Sequence, residues 1–131
     1  MENNMISYLK KKHFDKRLKH LQQKYKDKKV VIYGTGILFN TIREEYDLSG
    51  LNIVAVSDRK FETDNPGTYA GYPVCTPSEI KDIKPDCVLV STMNVVTVLE
   101  DLRYNLLEGE NIRVTSIVKK SLMEILKEIW S

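Results

Sequence analysis

The feature that most constrains this chain is one junction. The run Lys29-Val30-Val31-Ile32-Tyr33 is apolar and rich in β-branched residues, it breaks at Gly34-Thr35-Gly36, and a helix-like periodic stretch begins at once. The pattern predicts a strand buried on both faces, a tight turn, and a helix over residues 37–46 with Ile37, Leu38, Ile42 and Tyr46 as core candidates. A strand of that kind requires parallel neighbours and a helical layer on each side.

The rest of the chain supplies both. Residues 52–57 read as a second buried strand ending at Asp58. Residues 59–71 form a polar loop containing the turn signal Asn65-Pro66-Gly67. Tyr72-Pro73-Val74 suits a short edge strand, where proline is tolerated. Thr76, Pro77 and Glu79 have the order of a helix start with a capping box. Residues 87–91 make a third main strand. A helix over 95–107 follows, with Val95, Val98, Leu99, Leu102 and Leu106 on one side, and then a strand over 111–118. Ser121 caps a last helix carrying Leu122, Ile125, Leu126 and Ile129 at i, i+3, i+4 and i+7. The expected fold class is α/β, a Rossmann-like doubly wound, mainly parallel sheet of about five strands with an added basic N-terminal helix.

A chain of 131 residues has room for one core. The expected division is a basic amphipathic helix over 1–28 and a nucleotide-binding domain over 29–131. Residues 5–26 contain no Gly or Pro, and Ile6, Leu9, Phe14, Leu18, Leu21 and Tyr25 are spaced as a helical stripe with one step of five. That stripe needs a cover: the body of the protein, a partner chain or lipid. Residues 1–29 hold ten Lys/Arg against Glu2, Asp15 and Asp27, so the remainder holds 20 − 10 = 10 against 18 − 3 = 15 acids. Such asymmetry fits an arm that meets phosphates or an anionic membrane surface, or else the solvated face of a helix. No apolar run approaches the roughly 20 residues of a membrane span, and no secretory signal pattern opens the chain. Cys75 and Cys87 are far apart and have the spacing of neither a zinc site nor a disulfide framework, which fits buried thiols in a reducing, cytoplasmic setting. No nucleic-acid partner is expected.

Chemistry concentrates at the glycine turn. After a strand and before a helix, the first glycine permits the sharp turn and the second lets backbone approach a phosphate, with the helix N-terminus aimed at the anion. Gly34, Thr35 and Gly36 are therefore candidate ligand contacts, although Phe39 stands where a third glycine would complete the dinucleotide pattern. Asp58, ending the second strand, either accepts hydrogen bonds from ribose hydroxyls or makes a turn. Arg59 is placed to meet a phosphate instead. Ser91 and Thr92 lie at the carboxyl end of the third main strand, where ligands of open α/β sheets sit; they contact ligand or cap the next helix.

Catalytic constellations are thin. Tyr8/Lys12 and Tyr25/Lys29 have the Tyr-x-x-x-Lys spacing of short-chain dehydrogenases, but both precede the cofactor turn rather than follow it. His13 and His20, seven apart, share a helix face with no carboxylate or thiol beside them, so no metal site is expected. Ile32, two residues before Gly34, is not the acid a methyltransferase carries there.

The segments KVVIYGTG, NIVAVSDRK, GTYAGYPVCTPSEI and KPDCVLVST, over residues 29–92, resemble the small Rossmann-like domain of bacterial surface-polysaccharide biosynthesis proteins. That group includes the nucleotide-binding domain preceding the catalytic domain of membrane-associated sugar-nucleotide dehydratases and epimerases, and the N-terminal domain of sugar acetyltransferases. The resemblance implies nucleotide contacts at Gly34, Gly36, Asp58, Ser91 and Thr92. NAD or NADP is the implied cofactor, with a nucleotide-sugar or CoA as the alternative ligand. It implies a binding module that works with a catalytic partner or domain, or as a homo-oligomer. Any activity of its own would be that of a dehydratase- or epimerase-like fragment. In the membrane-associated relatives the basic segment would lie near the bilayer. The competing readings are an NAD(H)-sensing regulatory domain and an interaction domain with a vestigial site.

Overall fold

The computed structural model describes residues 3–130. Its elements in chain order are α1 (Asn4–Lys11), α2 (Phe14–Lys24), β1 (Val30–Tyr33), α3 (Ile37–Glu45), β2 (Ile53–Ser57), β3 (Thr68–Tyr69), β4 (Tyr72–Cys75), α4 (Ile80–Ile83), β5 (Cys87–Val90), α5 (Val95–Asp101), β6 (Arg113–Ser116) and α6 (Leu122–Trp130). The six strands form one sheet in the order β3-β4-β2-β1-β5-β6, parallel except for β3, which runs antiparallel to β4.

The two faces of the sheet are both covered, as the apolar strands demand. Val30 and Ile32 of β1, with their partners Cys87 and Leu89, face a core built with Leu9, Phe14, Leu18 and Leu21 of α1–α2 and Leu38, Phe39 and Ile42 of α3. Val31 and Tyr33, with Val88 and Val90, face a second core closed by Ile80, Val95 and Leu102 of the α4 and α5 side. The chain therefore leaves β1 toward one face and β5 toward the other. Their carboxyl ends, side by side at the register pair Tyr33↔Val90, bound the crevice between the two connections.

Four expectations are corrected. The sheet has six strands rather than five, because Ala70 and Gly71, at φ 53° and 85°, fold part of the polar loop into a tight hairpin. The N-terminal helix is two helices: His13 takes a left-handed φ of 53° between them. The step of five between Leu9 and Phe14 would turn a continuous helix about 140° off its stripe, and the break restores the phase. Ile37 is 67% exposed; as the first residue of α3 it stands outside the buried row of Leu38, Phe39 and Ile42. The helix after β5 is α-helical only to Asp101, and Leu102–Leu106 widens to a π-helix closed by a bond from the Leu107 N–H to the Leu102 carbonyl. Among the described residues no helix is long and apolar enough to cross a membrane.

Candidate functional site at the carboxyl rim of the sheet

The β1–α3 turn is built around Gly34. Its φ of 108° suits glycine, and a Cβ there would meet the Thr92 methyl at 2.8 Å and the Ser91 carbonyl oxygen at 2.9 Å. The turn thus lies directly on the end of β5. Ser91, buried, locks it there: its hydroxyl donates to the Gly34 carbonyl at 2.6 Å, with the Tyr33 carbonyl 3.2 Å away.

Asp58 holds the same turn from the other side. One carboxylate oxygen accepts from the Thr35 N–H at 2.8 Å and the Thr35 hydroxyl at 3.0 Å, and the other accepts from the Lys60 N–H at 3.2 Å. Three of roughly four acceptor positions on this carboxylate are spent on the protein. Tyr69, brought over by the hairpin, places its hydroxyl 2.8 Å from Asn40 Oδ1 and 3.1 Å from the Thr35 carbonyl. Phe39 packs its ring against Tyr69 and Tyr72, each 6.4 Å away between centroids. The residue in place of the third glycine therefore points toward the edge hairpin and joins an aromatic cluster.

Gly36 differs from Gly34. Its φ of −87° is open to any residue, and nothing lies within 4 Å of the Cβ it lacks. It is the N-cap of α3, and no side chain caps that helix, so the N–H groups of the first turn have no side-chain partner.

A cleft of about 250 Å³ opens beside the turn. Gly34, Asp58, Arg59 and Thr92 line it, whereas Thr35, Gly36 and Ser91 stand outside its lining. Tyr33, Asn94, Thr97 and Asp101 contribute the remaining polar groups. Burial raises the Tyr33 hydroxyl pKa above its ordinary value, against the lowering influence of Arg59. Arg59 reaches Asp101 of α5 at 3.6 Å, pairing residues from the β2 and β5 connections. The Thr92 hydroxyl is buried with no hydrogen-bond partner. Tyr33 and Asp101 carried no local signal in the sequence; only the register of three strands places them together.

The other sequence candidates fall elsewhere. Tyr8 and Lys12 converge on Glu124 of α6, with Tyr8 at 3.2 Å and Lys12 in an ion pair. The Tyr25 hydroxyl has no oxygen or nitrogen partner and faces the Cys87 thiol, while Lys29 uses its backbone N–H to bond Asp86. His13 and His20 line a cleft with four cationic side chains. Among the described residues no three His, Cys, Asp or Glu side chains come together in a way that could hold a metal.

Fold and rim together define an α/β domain with a predominantly parallel sheet and a small polar cleft where neighbouring strands send their connections to opposite faces. The chain belongs to the C2185-like N-terminal family, whose model matches residues 26–118. That span runs from the approach to β1 to just beyond β6, so it contains the whole rim and leaves out α1, α2 and α6. No curated protein and no solved structure matches the chain.

Proposed function

We propose that this chain is a Rossmann-like module that binds a nucleotide-bearing small molecule, NAD(P) or a nucleotide-sugar, in sugar-nucleotide or surface-polysaccharide metabolism, and works with a catalytic partner or domain. The observation that carries the reading is Gly36. Nothing in the chain's own packing calls for glycine there, yet the position is bare, uncapped and at a helix N-terminus. A phosphate seated on that turn would use both the space and the free N–H groups. The orphaned Thr92 hydroxyl and the exposed Arg59 fit the same kind of ligand, since a buried polar atom without a partner calls for one.

The cleft of about 250 Å³ falls just below the roughly 300–1,000 Å³ of ordinary ligand pockets, so it suits one end of such a molecule, with the phosphates along the open turn. Asp58 has little acceptor capacity left for a ribose, and recognition rests on the phosphates instead.

The test is thermal unfolding of the chain with NAD(H), NADP(H), CoA and UDP-, GDP- and CDP-sugars. A ligand at about 100 times its dissociation constant stabilises by roughly 2.7 kcal/mol, a shift of several degrees for a domain of this size. Gly36→Val should abolish that shift while leaving the unliganded midpoint in place. No shift with any compound would favour a second reading, an interaction domain that keeps the fold without the site. The Asp58–Thr35 hydrogen bonds support that reading, because they close the turn with the chain's own groups.

A further inference from the structure

A second cleft, of about 320 Å³, shares no lining residue with the rim cleft and is lined by Lys12, His13, Lys16, Arg17, His20 and Lys119. All six residues fall outside the span matched by the family. An adjoining hollow adds Lys11 and Lys120. Glu124 neutralises Lys12, but among the described residues Lys16, Arg17 and Lys119 have no carboxylate within ion-pair distance.

Three features distinguish this cluster from a solvated helix face. Arg17 is drawn inward: its guanidinium donates to the Ser116 carbonyl at 2.6 Å and the Ile117 carbonyl at 3.2 Å, which fixes its plane and leaves the remaining N–H donors of the fork unused. Lys16 and Arg17 sit in the first turn of α2, beside Asp15, at the positive end of the helix dipole, where cations are disfavoured. His13, at the N-cap of α2, holds a left-handed backbone without any side-chain capping bond. A guanidinium fixed in a cleft with donors to spare, beside cations that no carboxylate neutralises, is arranged for an anion.

We propose that this cleft binds a multiply charged phosphate group, as a free pyrophosphate-like anion or as a phosphorylated headgroup. Arg17 supplies a planar donor fork held in place by β6. Lys16 and Lys119 bring charge from α2 and from the segment joining β6 to α6.

The experiment uses the whole chain in low-salt buffer with inorganic pyrophosphate. The unfolding midpoint should rise by several degrees at saturation. Affinity should fall about tenfold for each cation reversed in Lys16→Glu and Lys119→Glu, the worth of one charge-assisted hydrogen bond. Both positions are exposed, and Lys16→Glu puts an acid where the α2 dipole favours one, so the variants fold. Gly36→Val should respond to pyrophosphate as the parent does. Flotation with phosphatidylcholine vesicles, with and without phosphatidic acid, separates the sources. Flotation only with phosphatidic acid identifies a lipid headgroup, and pyrophosphate stabilisation without flotation identifies a soluble ligand. The proposal is overturned if neither probe binds, if sulfate at matched ionic strength gives the same shift, if the double variant responds unchanged, or if Gly36→Val removes the response.

Discussion

Gly34 and Gly36 stand two residues apart under opposite constraints. At Gly34 an added methyl would collide with Thr92 and the Ser91 carbonyl and would also need a φ of 108°. Gly34→Ala should therefore destabilise the fold by about 2–4 kcal/mol, combining backbone strain with overpacking. Gly36→Ala should stay within about 0.5 kcal/mol of the parent, because its φ is ordinary and its Cβ would meet nothing. Urea denaturation of the two variants checks the pair. Equal losses would remove the argument that Gly36 is free of packing duty. The cysteines obey the same local logic. Burial pushes both the Cys75 and Cys87 thiols up to about 11, so neither has appreciable thiolate at neutral pH. Labelling by a disulfide reagent at pH 7.5 should proceed at the rate of unfolding and become fast in urea.

At the scale of elements, α6 is tied to α1 through one carboxylate. Glu124 accepts from the Ser121 N–H at 3.2 Å, and its own N–H bonds the Ser121 hydroxyl, closing a capping box. Lys12 and Tyr8 reach the same carboxylate from α1. Burial alone would push Glu124 up, but the bonds from Lys12 and Ser121 outweigh it and hold the group at about 2, against an ordinary 4.5. A carboxyl lowered on folding contributes stability that is fully present above its unfolded value and is lost as pH falls through its folded value. Glu124→Gln should thus be less stable than the parent at pH 7, and the gap should close between about pH 4.5 and pH 2. Urea midpoints across that range test it, since other carboxylates titrate alike in both proteins. What the sequence disclosed about elements follows a similar division between local and distant causes. β1, β2 and β5 were legible because β-branched runs end at turn residues, and the Ser121 helix start was legible from its cap. β3 was hidden because its hairpin turns on Ala70-Gly71, and alanine rarely adopts a positive φ. At the rim, the glycine turn announced itself by position. The bonds from Thr35 to Asp58, the Tyr69 hydroxyl over the turn and the Arg59–Asp101 pair join residues 23 to 42 positions apart, and depend on strand order that no single segment encodes.

At the scale of the whole molecule, the basic N-terminal helices share one core with the sheet. Leu9, Phe14, Leu18, Leu21 and Tyr25 lie in one core with Val30, Ile32, Leu89 and the α3 residues, and Phe14 meets Tyr46 edge-on at 4.9 Å between centroids. The stripe that called for a cover in the sequence is covered by the body, which leaves the cationic side of the same helices for other duties. Five large side chains, each worth about 1.5–3 kcal/mol when buried, contribute an amount of the order of the 5–15 kcal/mol by which an entire domain is stable. Deleting residues 1–25 removes that contribution and uncovers the part of the sheet face that α3 does not cover, on strands that are apolar on both sides. The truncated chain should consequently show no cooperative thermal transition and should bind a dye that reports exposed apolar surface, although it retains every residue that the family model matches. If it instead unfolds cooperatively near the midpoint of the full chain, the sheet closes its own core, and α1 and α2 are an appendage that carries the basic cleft.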